Sequence, residues 1–174
     1  LASGCLSVRV VADAIDQYED RFGESDSTQH LRKELLWREF FHWRANRGGH
    51  HLFRIGGAES KLNRCCFEPR SFARWCAGDT DYPLVNALMH QLVETGWMSN
   101  RGRQIAASCL INEMQVDWRF GAAFFEKHLV DFDVASNYGN WQYIAGVGAD
   151  PRGGRHFNLE KQATTYDPEG TFTR

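Results

Sequence analysis

The stretch that decides the fold is Leu129-Val-Asp-Phe-Asp-Val-Ala-Ser-Asn-Tyr-Gly-Asn-Trp-Gln-Tyr143. It holds two acids two residues apart, then small and amide residues, then aromatics. Asp133 is a good N-cap, and Val134 to Ala145 can continue as a helix behind it. Gly139 inside that helix costs about 1 kcal/mol relative to alanine, so something large is expected to approach the backbone there. A helix start also offers free N–H groups and a positive dipole end, suited to an anionic or strongly accepting ligand. Taken alone, the stretch also fits an ordinary capped core helix, and the rest of the chain must decide.

Composition sets the bounds. The chain has 174 residues, enough for one core of ordinary domain size. A hydrophobic fraction of 43%, an aromatic fraction of 13% and six tryptophans argue for a globular, aromatic-rich interior. The net charge of −2 gives no global basic field for nucleic acid. DNA binding would need a local patch, and arginines do cluster at Arg32, Arg38, Arg44, Arg47 and Arg54, then at Arg101 and Arg103. The five cysteines show no CxxC spacing, and adjacent Cys65 and Cys66 suit neither a shared metal site nor a mutual disulfide. The odd count and the lack of a signal peptide favour a reducing, cytoplasmic location. No apolar run approaches the ~20 residues that a membrane span needs. The chain starts without methionine, in mid-pattern, and is expected to be a piece of something longer.

Outward from the opening stretch, the pattern is helical throughout. Ser7 to Phe22 is amphipathic, with Val8, Val11, Ala12, Ile15 and Tyr18 on one side, and Gly23 ends it. Asp26 or Ser27 caps a second helix to about Asn46, apolar nearly all round and therefore expected to be central. Glu34 and Arg38 lie four apart in it, the favourable order for an ion pair; a solvated bridge and a walled polar site compete there. A glycine-rich loop runs from Gly48 to Phe67 and carries His50 and His51 on the surface. Pro69 and Gly78 bracket a short helix with Trp75 in the core, and Pro83 and Gly96 bracket another. Ser99 or Asn100 starts a helix to about Gln115. Arg101 and Arg103 sit in its first turn, where the dipole disfavours cations, which invites an anion or an acidic partner. Asp117 caps a helix through Leu129. After Gly146 periodicity is lost, and Gly153-Gly-Arg155 and Tyr166-Asp-Pro-Glu-Gly170 are ordered turns. The fold class is all-α, with about seven helices closed by an irregular tail.

Serine elbows, P-loops, dinucleotide GxGxxG repeats and zinc motifs are absent. Asp131 and Asp133 could serve as an acid pair, but no third oxygen ligand is close in sequence, so a metal is not assigned. The density of Trp, Asn, Arg and Asp near helix starts suits a flat, polar, aromatic cofactor better than hydrolysis.

Four segments carry a family likeness. Thr95-Gly-Trp-Met-Ser-Asn-Arg-Gly-Arg-Gln104, Val116-Asp-Trp-Arg119, Leu129 to Tyr143, and Phe157 to Gly170 together resemble the photolyase/cryptochrome family. Met98-Ser-Asn-Arg-Gly-Arg-Gln104, Ser136-Asn-Tyr-Gly-Asn-Trp141 and Tyr166-Asp-Pro-Glu-Gly170 look most like its cryptochrome-DASH branch. The resemblance runs from Leu1 to Arg174. It implies a multi-helical FAD-binding domain over residues 1–174. The family's N-terminal α/β antenna domain, and the Thr-Ser-x-Leu-Ser loop that grips the FAD pyrophosphate, would precede Leu1.

By matching position, the resemblance puts Asp131 and Asp133 at the flavin ring and its ribityl side. Asn137 faces the flavin N5 position, and Asn100, Arg103 and Arg38 line the cofactor pocket. Trp141 and Trp118 match the inner two members of a tryptophan electron-transfer chain. The outer member falls ten residues before Trp75, at Cys65, so the usual three-step chain is interrupted. For DNA, Glu34-Leu-Leu-Trp-Arg-Glu-Phe40 resembles the lesion-contacting helix. There Glu34 hydrogen-bonds a flipped pyrimidine dimer and Trp37 stacks on it, while Arg101 sits with Asn100 at the phosphate rim. Gln104 and Tyr143 stand where a methionine and a tryptophan are usual. They make the pocket more polar, a pattern that in the DASH branch goes with repair of single-stranded DNA.

The implied activity is FAD-dependent, blue-light-driven repair of cyclobutane pyrimidine dimers by a monomeric photolyase-type lyase, with a folate antenna in the longer parent. RNA is kept as a second possible polymer partner. Two rivals remain at this point: a photoreceptor without repair, and a cofactor-free helical module that binds nucleic acid. Glu34 with Trp37 favours repair, whereas Cys65 weighs against efficient photoreduction.

Overall fold

The computed structural model describes residues 1–57, 68–150 and 153–174. Among them the chain forms eight α-helices and no strand. They are α1 (Val8–Phe22), α2 (Asp26–Gly48), α3 (Pro69–Ala77), α4 (Pro83–Thr95), α5 (Asn100–Ser108), α6 (Trp118–His128), α7 (Val134–Ala145) and α8 (Leu159–Tyr166). A 3₁₀ turn, Gly49–Phe53, follows α2, and a π turn, Cys109–Glu113, follows α5.

Local chemistry sets the ends. Ser7 and Ser25 cap α1 and α2 by accepting from Val10 N and Thr28 N, at 3.2 and 3.3 Å. Proline opens α3 and α4, and glycine with left-handed φ closes both, at Gly78 and Gly96. Asp117 caps α6, and Asp133 caps α7 as its sequence implies.

The core lies among α3 to α7. Trp75, Trp118, Phe125, Met89, Leu92, Met98 and Leu110 are fully buried in it. Trp75 Nε1–H donates to the Ala106 carbonyl at 3.0 Å, which satisfies its one polar atom. α7 is pressed between α6 on one side and α2 on the other. Gly121 of α6 leaves room for the Trp141 ring, and Gly139 of α7 leaves room for Phe41 of α2. The large group that Gly139 admits is therefore a core phenylalanine.

Three expectations need correction. α2 is peripheral rather than central: only Leu35 and Phe41 are buried, while Leu36 and Trp43 are 69% and 68% exposed. One stripe of α2 meets α7, and α1 is tied on by Arg32, which holds Asp16 and Glu19 at 2.5 Å each. The helix from Asn100 ends at Ser108 instead of Gln115. There the Ser108 hydroxyl accepts from Phe157 N at 3.0 Å and from Asn112 Nδ2 at 3.1 Å, and the backbone widens into the π turn. Finally, the tail contains α8, capped by Asn158 Oδ1 on Lys161 N at 2.8 Å. It buries only Leu159, so it carries too little apolar periodicity to be seen in sequence.

Gly139→Ala tests the α2–α7 contact. The added methyl meets the Phe41 ring. Overpacking of about 1–3 kcal/mol should outweigh the roughly 1 kcal/mol of helix propensity gained. A lower melting temperature by circular dichroism is expected, and an unchanged or higher one refutes the notch.

Candidate functional site

α7 presents a polar stripe at the spacing of one helix face: Asp133, Ser136, Asn137 and Asn140. Asp133 Oδ1 accepts from Ser136 N at 2.8 Å. Asn140 Nδ2 donates to the Ser136 carbonyl at 2.8 Å. Asn137 Nδ2 donates to the Ala122 carbonyl at 3.0 Å. A carbonyl can only accept, so the Asn137 amide is set with its NH₂ toward α6.

Arg103 answers the conflict noted at the start of α5. Its Nη2 donates to both oxygens of Asp131 at 2.9 Å, and its Nε donates to the Met98 carbonyl at 2.8 Å. The cation at a helix start is thus compensated by an acid from the loop before α7.

These groups line a cavity of about 100 Å³ with Asn100, Gln104, Phe125, Leu129, Trp141 and Ile144. Beside it lies a wider cavity of about 340 Å³, lined by Glu34, Trp37, Arg38, Phe41 and Tyr143. Asn100, Gln104, Ser136 and Asn140 line both, so the two share a wall. Glu34 and Arg38, between whose solvated and walled readings the sequence did not decide, both line the wider cavity.

The other expected residues fall as follows. Arg38 belongs to the second cavity, and its partner is Glu39 at 2.8 Å, not Glu34; Glu34 instead lies 3.6 Å from His30. Arg101 lines neither cavity, because its guanidinium lies over the rings of Phe157 and Tyr166 at 5.5 and 5.8 Å. Trp141 (2% exposed) forms part of the first cavity, packed on Phe125 at 5.1 Å between ring centroids. Trp118 (0%) lies deeper, 6.3 Å from Tyr138, and donates Nε1–H to the Ile55 carbonyl at 3.0 Å. Cys65, where the third electron-transfer position falls, is outside the described residues.

Sequence reading missed His42, Ser136 and Asn140. His42 Nε2 lies 3.1 Å from Asp133. It falls four residues after Arg38, which itself falls four after Glu34, so one stripe of α2 carries all three. That spacing was the available signal. Burial raises the Asp133 carboxyl, but bonds from Ser136 and the charges of His42 and Arg38 outweigh it and hold the group below the usual carboxylate range.

Comparison with known proteins bears on the same residues. Residues 31–174 match a family model described as the FAD binding domain of DNA photolyase. A cryptochrome DASH of Idiomarina loihiensis is 55% identical over 172 residues, 99% of this chain and 38% of that protein. The crystal structure of a Synechocystis cryptochrome superposes with a TM-score of 0.95 at 47% identity, covering 99% of this chain and 36% of the other. A class III photolyase from Agrobacterium tumefaciens gives 0.88 at 36% identity, again over 99% and 36%. The chain thus spans well under half the length of these relatives. Among the described residues no helix is long and apolar enough to cross a membrane.

A depressed folded-state value for Asp133 means that its contribution is present above the unfolded carboxylate value. It is lost as pH falls through the depressed one. Asp133→Asn keeps a capping oxygen but removes the titration. Below about pH 4, the unfolded value, wild type should therefore lose stability more steeply than Asp133→Asn in denaturant titrations. Parallel curves would show that the carboxylate is not held low.

Proposed function

The chain belongs to the photolyase/cryptochrome family, and from that premise we propose that its two adjoining cavities hold a flavin and, beside it, a pyrimidine dimer flipped out of single-stranded DNA. The observation that carries this reading is the shared wall. Asn100, Gln104, Ser136 and Asn140 line both cavities, so occupants of the two lie next to each other.

The donor set of the first cavity fits a flavin. The ligand is flat and aromatic, with a rim of alternating acceptors and N–H groups whose charge changes with redox state. Phe125, Leu129, Trp141 and Ile144 offer apolar walls. Arg103 offers a planar guanidinium, fixed by Asp131 and the Met98 carbonyl. Asn137 offers an acceptor whose direction is set from behind by Ala122. When bound, a reduced flavin supplies the light-driven electron that opens the dimer's cyclobutane ring and takes it back afterwards. The chain's part is to bind, orient and shield. Trp141 lines this cavity and Trp118 is fully buried; both are oxidisable rings, suited to passing electrons to the cofactor.

The second cavity suits the lesion. Glu34 and Trp37 are half-exposed, so a base entering from solvent reaches a carboxylate and an indole face together. Glu34 accepts from a pyrimidine N–H, and Trp37 stacks. Gln104 and the Tyr143 hydroxyl add polarity to the walls. A dimer is already poorly stacked, and in a single strand little pairing is lost on extrusion. The reading also places the protein in a reducing compartment. Cys5, Cys76 and Cys109 are free thiols, and burial pushes Cys109 up to about 12, leaving it unreactive.

The test is light-dependent reversal of a dimer in a single-stranded oligonucleotide by the full-length, FAD-loaded protein. Repair in blue light and none in the dark is expected. Trp37→Ala should weaken dimer affinity by about 1–3 kcal/mol, the worth of one stacked base. A loaded protein that reverses no dimers would leave the photoreceptor reading standing. A flavin-free preparation that resists reconstitution would remove both.

A further inference from the structure

Tyr143 forms one wall of the second cavity, and it is gripped from outside that cavity. The Arg155 guanidinium lies over its ring at 4.8 Å, and Arg155 Nη2 donates to the Tyr143 hydroxyl. Arg155 Nε donates to Asp150 Oδ2 at 2.9 Å, and the Asp150 side chain is wholly buried. The backbone is pinned as well. Arg155 N donates to the Ile144 carbonyl at 3.0 Å, and the Arg155 carbonyl accepts from Asn112 Nδ2 at 3.0 Å. The segment returns so closely on α7 that a Cβ at Gly146 would collide with the Gly153 carbonyl. None of this chain of contacts reaches solvent-facing function on its own, yet it ends on an aromatic ring of the cavity.

We infer that Arg155, anchored by Asp150, is a positioning residue for Tyr143: it fixes the ring as a cavity wall and sets the phenol to donate to the bound base. The reason is donor arithmetic. A guanidinium has donors only, so the phenol oxygen must accept from it. The phenol keeps one hydrogen, and no acceptor for that hydrogen occurs among the described residues. An acceptor on the ligand completes the set, and the carbonyl oxygens of a pyrimidine are acceptors of that kind. Stacking of the guanidinium on the ring outside the cavity holds the phenol in one orientation, so little freedom is lost on binding. This rests on the reading of the second cavity as the lesion site.

Removing Arg155 alone would take a charged partner from the buried Asp150 carboxylate and endanger the fold. The clamp is therefore removed as a pair, Asp150→Asn with Arg155→Met, and compared with Tyr143→Phe and with the triple variant. Affinity for a single-stranded oligothymidylate carrying one dimer is measured on the full-length flavoprotein, with the undamaged strand alongside. Each of the first two variants should bind the dimer about tenfold more weakly, with the undamaged strand unaffected. The triple variant should be no weaker than either, because clamp and phenol act as one unit. Dimer affinity unchanged by loss of the clamp, or losses that add in the triple variant, overturns the inference. If the wild-type protein does not prefer the dimer, the lesion reading itself fails. The Tyr143 component of the tyrosine ultraviolet resonance Raman doublet, assigned with Tyr143→Phe, then decides alone. A shift on losing the clamp supports the hold on the phenol, and no shift overturns it.

Discussion

Two missing side chains govern the structure. Gly121 lets α6 approach the Trp141 ring, and Gly139 lets α2 bring Phe41 onto α7. Close packing is short-ranged, so a methyl at either point would force a helix outward and weaken contacts along its length. The position of α7 is thereby set from both sides. The α7 half of the shared wall, Ser136 and Asn140, is placed by those contacts, and α5 adds Asn100 and Gln104. The precision of the polar site is inherited from apolar packing.

On that frame the polar groups settle one another. The start of α5 carries a cation where the dipole is unfavourable, and the loop before α7 supplies Asp131 to meet it. The start of α7 is held by Asp133, which also faces His42 and Arg38 of α2. Two helix starts and the acids on each side of Phe132 thus converge on the first cavity, and Arg38 of α2 lines the second cavity beside it. Such convergence costs folding stability in desolvation, and sites retain it where a charged or strongly polar ligand returns the loss.

Much of this was legible in sequence. Capping residues and proline–glycine brackets mark the helix ends because those signals act over three or four residues. The family resemblance pointed to Asp131, Asn137, Arg103, Glu34 and Trp37, and each of the five lines one or other of the two cavities. What sequence could not show was anything set by distant partners. Apolar residues all round α2 suggested burial, but a helix cannot reveal which of its faces will find a neighbour. Arg38 has two acids within reach along α2, and only the rotamers choose Glu39 over Glu34. Arg101 was expected at the cavity rim and instead lies over two rings contributed by the tail. The end of α5 was invisible because the bond from Phe157 to Ser108 at that end spans 49 positions.

That last bond carries a kinetic meaning. Ser108 and Asn112 bond backbone groups of Phe157 and Arg155, so these contacts form only after residues 155–157 have been synthesised. Loop-closure entropy makes contacts this distant slow to form, and chains are made from the N-terminus. A nascent chain would therefore pass through a stage in which α4 to α7 have gathered while the Tyr143 ring still lacks the hold of Arg155. Residues 155–157 act as a latch, securing the Tyr143 wall of the wider cavity only once they close.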